Sequence, residues 1–137
     1  MKRNSLLIFL LALVLLVFAF SGCTGSSSTP PTVTVVVKNG DTLLLSKAVT
    51  AASSASSVMA VLQQALTEAY PDNTDLLQIS GDRSTVAYLF GYPSLVDGMY
   101  WRYELDSASD ALKAPGAQPI QTHTLLTFSY ERYTAAS

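Results

Sequence analysis

Histidine, cysteine and clustered carboxylates are the side chains that most often carry out chemistry in proteins, and this chain has few of them. His123 is its only histidine and Cys23 its only cysteine. A serine could be paired with His123 on paper, but no Gly-x-Ser-x-Gly nucleophile elbow supports a catalytic triad. The spacing of an EF-hand calcium loop is absent among the candidate aspartates, Asp72, Asp75, Asp97, Asp106 and Asp110. The sequence therefore predicts no enzyme, no metal site and no resident cofactor, and His123 is interpreted as an exposed turn residue.

Aromatic side chains are the stronger candidates for recognising a ligand. Nine of them lie between residues 88 and 133, and none lies between residues 24 and 69. Their simplest role is in the core and in the cross-strand pairs of a sheet. Tyrosine and tryptophan at the rim of a sheet can also stack on a planar molecule. On that basis the predicted ligand-contacting residues are Tyr92 and Pro93, which precede a loop at 94–98, together with Tyr100, Trp101 and Arg102.

The first 23 residues have the order of a secretory signal rather than of a structural helix. Two basic residues precede an apolar run from Leu6 to Phe20, and small residues stand just before Cys23. This order resembles the lipobox of bacterial and some archaeal lipoproteins, in which the cysteine is lipidated and becomes the mature N-terminus. We therefore expect a signal peptide at residues 1–22, lipidation at Cys23 and an extracytoplasmic domain anchored to the cell membrane. The alternative is a retained anchor helix, although the apolar run is shorter than the roughly 18–20 residues of a comfortable span.

Composition limits the partners of the remaining chain. Without residues 1–22, 115 of the 137 residues remain, which is the size of about one domain. This part contains six lysine and arginine residues against ten aspartates and glutamates, for a formal charge of −4. No run of basic residues is present, so nucleic acid is not an expected partner. If Cys23 carries lipid, no thiol remains for a disulfide bond.

Hydrophobic periodicity divides the rest of the chain into a tether and a folded domain. Residues 23–32 are rich in glycine, serine and proline and are expected to form a lipidated, flexible tether, followed by one domain at residues 33–134. The domain opens with a β-branched run, and Asn39-Gly40 predicts a type I′ hairpin turn to a second strand. Apolar residues at three- and four-residue steps then predict an amphipathic helix between Ser53 and Tyr70, with nearby serines as N-caps.

Four further strands are predicted after the helix, at 76–80, 85–90, 100–105 and 125–133, with a helical turn at Ala108 to Leu112. Alternation in the last two strands predicts that the sides carrying Trp101 and Phe128 are buried. A hairpin, one helix and then further strands is an α+β order. If the helix crosses the sheet, the first and last strands lie together at its centre. We therefore expect a β-grasp-like mixed sheet with one main amphipathic helix packed on one face.

Four stretches in this order carry a resemblance to a known family. They are Val33-Thr34-Val35-Val36-Val37, Val58-Met59-Ala60-Val61-Leu62, Gly98-Met99-Tyr100-Trp101-Arg102-Tyr103 and Leu126-Thr127-Phe128-Ser129-Tyr130. The chain between about Thr32 and Tyr133 resembles the transcobalamin C-terminal-like domain, which implies a β-grasp-type module and cobalamin as a possible ligand. Two turns depart from the family pattern: this chain has Glu104-Leu105-Asp106 and Thr122-His123-Thr124 where the family often has Asn-Gly and Gly-Asp.

Two functions follow as expectations. The first is a membrane-tethered extracytoplasmic binding module for a corrinoid or another small planar ligand, which the aromatic half of the chain and the resemblance favour. The alternative is a cell-surface module that contacts another envelope protein through a sheet edge or a loop and takes no small molecule. In both, the lipid anchor makes the membrane a partner.

Overall fold

The computed structural model of the protein describes residues 29–107 and 112–134. The expected signal peptide, the lipidation site Cys23 and most of the tether lie outside the described residues. The helical turn expected at Ala108 to Leu112 also lies outside them, except for its last residue. The predicted boundaries of signal, tether and domain therefore stay predictions.

Seven strands and one α-helix make up the regular structure of the described residues, with a short 3₁₀ helix at Thr74–Leu76. The helix, α1, is Val58–Ala69. The strands are β1 (Thr32–Asn39), β2 (Thr42–Thr50), β3 (Leu77–Ile79), β4 (Val86–Leu89), β5 (Tyr92–Pro93), β6 (Met99–Leu105) and β7 (Leu125–Arg132). The two-residue strand β5 is an addition to the predicted set. Across residues 29–107 and 112–134, no helix has the length and apolar character needed to cross a membrane.

The first hairpin is confirmed, with a turn of a different type from the predicted one. β1 and β2 pair antiparallel, and Asn39 pairs with Thr42, so Gly40 and Asp41 are the two central turn residues. Of these two only Gly40 has a positive φ, 57°. A type II′ turn needs positive φ only at its first central residue, whereas a type I′ turn needs it at both. The predicted type I′ turn around Asn39-Gly40 is therefore wrong: the turn lies one residue later, and its φ values are compatible with type II′.

The four-stranded sheet has the order β2-β1-β7-β6, and a smaller sheet has the order β3-β4-β5. β1 and β7 are parallel, with Thr34 opposite Leu125 and Asn39 opposite Tyr130, while the two outer pairs are antiparallel. The first and last strands thus lie side by side at the centre of a mixed sheet. This arrangement, with α1 on one face, confirms the α+β, β-grasp-like fold expected from the sequence.

The helix α1 lies within the predicted range, and its N-cap is Ser57, the last of the serines predicted as N-caps. The Ser57 hydroxyl oxygen accepts a hydrogen bond from the backbone N–H of Ala60 at 3.1 Å, which satisfies one of the free N–H groups of the first turn. Pro71 follows the C-cap residue Tyr70, and a proline cannot continue a helix. The apolar face of α1 packs on β1 and β2, and its buried residues are Val58, Met59, Val61, Leu62, Ala65 and Leu66.

Alternate residues of β6 and β7 point into the core as predicted, and they are Trp101, Tyr103, Leu105, Leu126, Phe128 and Tyr130. The hydroxyl of Tyr103 donates to the carbonyl of Lys113, and burial raises the pKa of Tyr103 to about 12. The opposite side of the sheet, here called the open face, carries the intervening and partly exposed residues of β6 and β7. The sheet therefore has one buried and one open face.

The two ends of the four-stranded sheet are distinguished by the strand directions. Asn39, Met99 and Arg132 lie at one end, here called the far end, because β1 and β7 finish there and β6 starts there. Thr32 and Leu105 lie at the opposite end. β1 begins at Thr32, so the expected tether would join the sheet at the end opposite the far end.

Candidate functional site

The structure divides the five predicted ligand-contacting residues between the two faces of the sheet. Tyr92, Pro93 and Trp101 lie together on the buried side, where β5 meets β6 and β7. Tyr100 and Arg102 lie on the open face. The five residues therefore do not form one site.

The residues on the buried side form hydrogen bonds with other residues of the fold. The indole N–H of Trp101 donates to the carbonyl oxygen of Tyr92 at 2.9 Å, and the hydroxyl of Tyr130 donates to the carbonyl oxygen of Pro93 at 2.7 Å. The ring centroids of Trp101 and Tyr130 are 5.0 Å apart, and only 9% of Trp101 is exposed. These contacts anchor the small sheet to the large one. A ligand role for Tyr92, Pro93 and Trp101 stays a prediction.

Arg102 on the open face is engaged in two ion pairs. Its guanidinium lies 2.9 Å from Glu104 Oε1 and 3.5 Å from Glu131 Oε2. All three side chains are partly exposed, so each pair contributes at most about 1 kcal/mol. Arg102 therefore binds its neighbours on the sheet, and a ligand role for it also stays a prediction.

An apolar pocket lies at the far end of the sheet, next to Tyr100. It has a volume of about 420 Å³ and is lined by Leu95, Gly98, Met99, Tyr100 and Tyr133. This set of residues is called the Leu95 pocket below. Leu95 is 87% exposed and Tyr133 67% exposed, although large apolar side chains are usually covered in a small domain. The pocket thus combines an exposed apolar surface with a concave shape.

The loop 94–98 that forms one wall of the Leu95 pocket is strained. Leu95 has φ 63° and Asp97 has φ 53°, a region that costs a residue with a side chain on the order of 1–3 kcal/mol. Hydrogen bonds hold this conformation: the N–H of Leu95 donates to the Met99 carbonyl at 2.7 Å, and the N–H of Tyr133 donates to the Gly98 carbonyl at 2.7 Å. Strain of this kind persists where the surroundings fix it and is frequent at ligand sites. The loop therefore presents Leu95 in a prearranged position.

Two tyrosines form the opposite wall of the Leu95 pocket. The ring centroids of Tyr100 and Tyr133 are 6.0 Å apart and their planes are inclined by 75°, an edge-to-face arrangement that aromatic pairs favour. The two rings therefore make a corner beside the aliphatic side chain of Leu95. Such a corner offers flat apolar surface together with hydroxyl groups that can form hydrogen bonds.

The sequence prediction included the loop 94–98 and Tyr100, and it did not identify Leu95, Met99 and Tyr133 as a joint surface. One signal was available. Leu95 and Val96 are two apolar residues between Pro93-Ser94 and Asp97-Gly98, in a stretch otherwise typical of turns. Apolar residues in such a turn are exposed unless something covers them, and Val96 is 47% exposed.

A second cleft lies between the first half of α1 and the turn after β3. It has a volume of about 450 Å³, and polar groups of Ser57, Gln63, Ser80 and Arg83 are among its lining. The Leu95 pocket lacks charged lining residues and is the better match for the apolar, aromatic lining of small-molecule sites.

Asp106 and His123 join the two turns at the other end of the sheet. His123 Nδ1–H donates to Asp106 Oδ2 at 2.7 Å. Asp106 Oδ1 accepts the backbone N–H groups of Thr124 and Leu125 at 3.1 and 2.9 Å. His123 thus lies in a turn, as predicted, and it is tied to a carboxylate that also orders the start of β7. A structural role in holding these turns explains the positions of both side chains.

Replacing Asp106 with alanine is expected to lower the free energy of unfolding by about 1–2 kcal/mol at neutral pH, because it removes a charged acceptor of several hydrogen bonds. The hydrogen bond from His123, with those from Leu125 and Thr124, holds the pKa of Asp106 below its usual range. A carboxyl with a lowered pKa stabilises the fold above its unfolded pKa of about 3.9 and loses this contribution as the pH falls through the folded pKa. The natural protein should therefore lose more stability than Asp106→Ala between about pH 5 and pH 3.

Urea denaturation followed by the fluorescence of Trp101, the only tryptophan, measures this difference at each pH. Asp72→Ala removes the same charge from an exposed turn residue and should change stability by no more than about 0.5 kcal/mol. Equal acid sensitivity of Asp106→Ala and the natural protein would contradict the prediction.

Comparison with known proteins adds no family to this description. No family model matches the chain, and no curated protein matches it. The resemblance to the transcobalamin C-terminal-like domain therefore stays a prediction. In the described part of the chain, no group of three or more histidine, cysteine, aspartate or glutamate side chains is placed to hold a metal ion.

Proposed function

We propose that the protein is a membrane-tethered, extracytoplasmic binding module that takes a small planar, largely apolar molecule at the Leu95 pocket. The observation that carries the proposal is the pocket itself, in which a strained loop presents Leu95 and two tyrosines form a corner beside it. A volume of about 420 Å³ falls in the range of about 300–1,000 Å³ found for small-molecule sites.

A corrinoid is the first candidate ligand because the predicted family includes cobalamin-contacting domains. The corner formed by Tyr100 and Tyr133 can lie against the edge of a flat macrocycle, and Leu95 can cover part of one side. The pocket is open to solvent, so it encloses only part of so large a molecule. We therefore expect weak binding of a corrinoid and stronger binding of smaller planar molecules that fit the corner.

The position of the pocket suits a tethered protein. Thr32 and the Leu95 pocket lie at opposite ends of the sheet, and eight residues of β1 span about 26 Å. The nine peptide units from Cys23 to Thr32 can extend over about 30 Å at most. A domain anchored at Cys23 can thus present its pocket on the side away from the lipid anchor, because the tether joins the opposite end of the sheet.

A titration tests this proposal with the full chain in phosphatidylcholine nanodiscs and empty nanodiscs as blanks. The ligands are cobalamin, followed by absorbance, and N-phenyl-1-naphthylamine, followed by fluorescence. Leu95→Ser and Tyr133→Ala should each weaken binding of the naphthylamine about tenfold, since each removes apolar contact area from the pocket. Leu43→Ser is the matched control, because Leu43 is a 61% exposed leucine on β2, outside the pocket. No binding of either ligand at millimolar concentration would contradict the proposal.

A second function, docking of an envelope protein, has one observation in its favour. Leu43, Leu95, Val96 and Tyr133 are all exposed and all lie toward the far end of the sheet. A partner protein could cover this apolar set. The same variants separate the two functions. Docking predicts that Leu43→Ser and Leu95→Ser both weaken capture of the partner, whereas small-molecule binding should be weakened by Leu95→Ser and not by Leu43→Ser.

A further inference from the structure

The corner of the Leu95 pocket presents the electron-rich face of one tyrosine ring and the edge of the other to a ligand. Tyr100 and Tyr133 meet at 75° with their centroids 6.0 Å apart, so a group placed in the corner contacts the face of one ring and the edge region of the other. The negative face of an aromatic ring attracts a cation within about 6 Å of its centroid. The corner can therefore accept a positively charged group as well as an apolar one.

A carboxylate stands directly beside this corner. Glu131 is the cross-strand partner of Tyr100 in the antiparallel pair of β6 and β7, and the side chains of such partners are neighbours on one face of a sheet, with Cβ atoms about 5 Å apart. Glu131 contacts Arg102 only at 3.5 Å, whereas Glu104 contacts the same guanidinium at 2.9 Å. Arg102 thus binds Glu104 more closely, and Glu131, with 41% of its side chain exposed, keeps oxygen atoms accessible to a ligand.

The other charged side chains near the pocket leave it favourable to a cation. The group of Glu104, Arg102 and Glu131 has a net charge of −1, and Asp97 adds a negative charge in the loop. Arg132 is the cross-strand partner of Met99, donates to the carbonyl oxygen of Asp97 at 3.2 Å and lies beside Gly98 of the pocket. Its positive charge offsets that of Asp97, so these five side chains together carry a net charge of −1. The described residues contain six lysines and arginines against nine aspartates and glutamates. An acidic protein with acidic groups around a site favours the approach of cations.

We infer that the ligand of the Leu95 pocket carries a positive charge: a planar or compact apolar body with a quaternary or protonated nitrogen. The apolar body lies against Leu95 and Met99, and the cation lies over a tyrosine ring beside the carboxylate of Glu131. The inference rests on the proposed function and specifies the chemical class of its ligand. It assigns to Glu131 a role in binding that Arg102 cannot take, because Arg102 has the opposite charge.

Three probes of similar size and different charge test the inference: 1-methylquinolinium, quinoline and 1-naphthoate. Equilibrium dialysis against the full chain in phosphatidylcholine nanodiscs, with empty nanodiscs as blanks, gives the dissociation constant of each at neutral pH. The cation should bind about three- to tenfold more tightly than neutral quinoline, as expected for a cation–π contact with an adjacent exposed carboxylate. The naphthoate should bind most weakly.

Two variants locate the source of this preference. Glu131→Gln keeps the shape of the side chain and one hydrogen-bonding oxygen. It should reduce the advantage in affinity of 1-methylquinolinium over quinoline without weakening the binding of quinoline itself. Glu68→Gln removes the same charge from α1, where Glu68 pairs with Lys47, and should leave the advantage unchanged. Raising the salt concentration should weaken binding of the cation and should not weaken binding of the neutral probe.

The outcomes separate this inference from the proposed function. If quinoline or naphthoate binds as tightly as 1-methylquinolinium, the inference is overturned and the pocket remains a site for small apolar molecules. An unchanged advantage in Glu131→Gln also overturns it. If none of the three probes and no N-phenyl-1-naphthylamine binds, the proposed function fails as well.

Discussion

Replacing Phe128 with alanine is expected to lower the free energy of unfolding by about 3–5 kcal/mol. Phe128 lies on β7, between β1 and β6, and only 1% of it is exposed. Its ring stacks on Tyr103 with the centroids 5.7 Å apart. Alanine would lose the transfer free energy of the ring and leave a cavity between the sheet and the elements that cover it, because neighbouring strands cannot close over it without breaking their pairing.

A loss of this size is a large part of the stability of a domain, which is about 5–15 kcal/mol. Urea denaturation followed by Trp101 fluorescence and by circular dichroism measures it. Tyr133→Ala is the matched control, because it also removes an aromatic ring, from the residue that follows β7. Tyr133 is 67% exposed, so the free energy of unfolding should change by about 0.5 kcal/mol or less. Similar losses in the two variants would show that Phe128 is not the central core residue that its burial indicates.

The large sheet could be predicted from the sequence because its signals are local. β-branched residues at 33–37 and alternating apolar residues in β6 and β7 mark the strands and their buried faces. Asn39-Gly40 marks the hairpin, although the structure places the turn one residue later. The central position of β1 and β7 follows once one helix must cross the sheet between them, since such crossings bring the outer elements of the sequence together.

The candidate site was less predictable because it depends on how two sheets meet. Trp101 looks as suited to a ligand as Tyr100 in the sequence, but β5 covers Trp101 and accepts its indole N–H. A two-residue strand has no periodicity that could have indicated this cover. The exposure of Leu95 depends on positive φ values in a loop without a glycine at that position, which no propensity rule anticipates. Ligand contact by any of the five predicted residues stays a prediction, and of these the geometry favours Tyr100.

The loop at 115–118 links the start of α1 to the turn between β3 and β4. Pro115-Gly116 reads in the sequence as a stop for a helical turn. In the structure the carbonyl of Pro115 accepts the N–H of Met59 at 3.0 Å, and the carbonyl of Gln118 accepts the N–H of Val58 at 2.8 Å. The loop therefore satisfies two free N–H groups at the start of α1. Gly116 also donates its N–H to the carbonyl of Ser84 at 2.9 Å, which ties the loop to the turn between β3 and β4.

Replacing Gly116 with alanine is expected to lower the free energy of unfolding by about 3 kcal/mol. A Cβ atom at this position would lie 2.3 Å from the carbonyl oxygen of Arg83 and 3.0 Å from the Cα of Ser84, so backbone must move. The turn resists that movement, because the carboxylate of Asp82 accepts the backbone N–H of Ser84 at 3.0 Å. Hydrogen bonds from Ser80 and Ser84 to this carboxylate lower the pKa of Asp82 to about 2, so the carboxylate is ionised at neutral pH and holds the turn.

If the loop moves instead of the turn, the start of α1 loses the two carbonyl acceptors. Part of the loss of stability then comes from unsatisfied N–H groups in the first turn of the helix. Amide hydrogen exchange distinguishes this path: Val58 and Met59 should exchange faster in Gly116→Ala, in addition to the shift of the urea midpoint. Gly81→Ala is the matched control, since a Cβ there meets no atom within 4 Å, and its stability should change by about 0.5 kcal/mol or less. Unchanged stability of Gly116→Ala would mean that the loop and the turn are not in the close contact described.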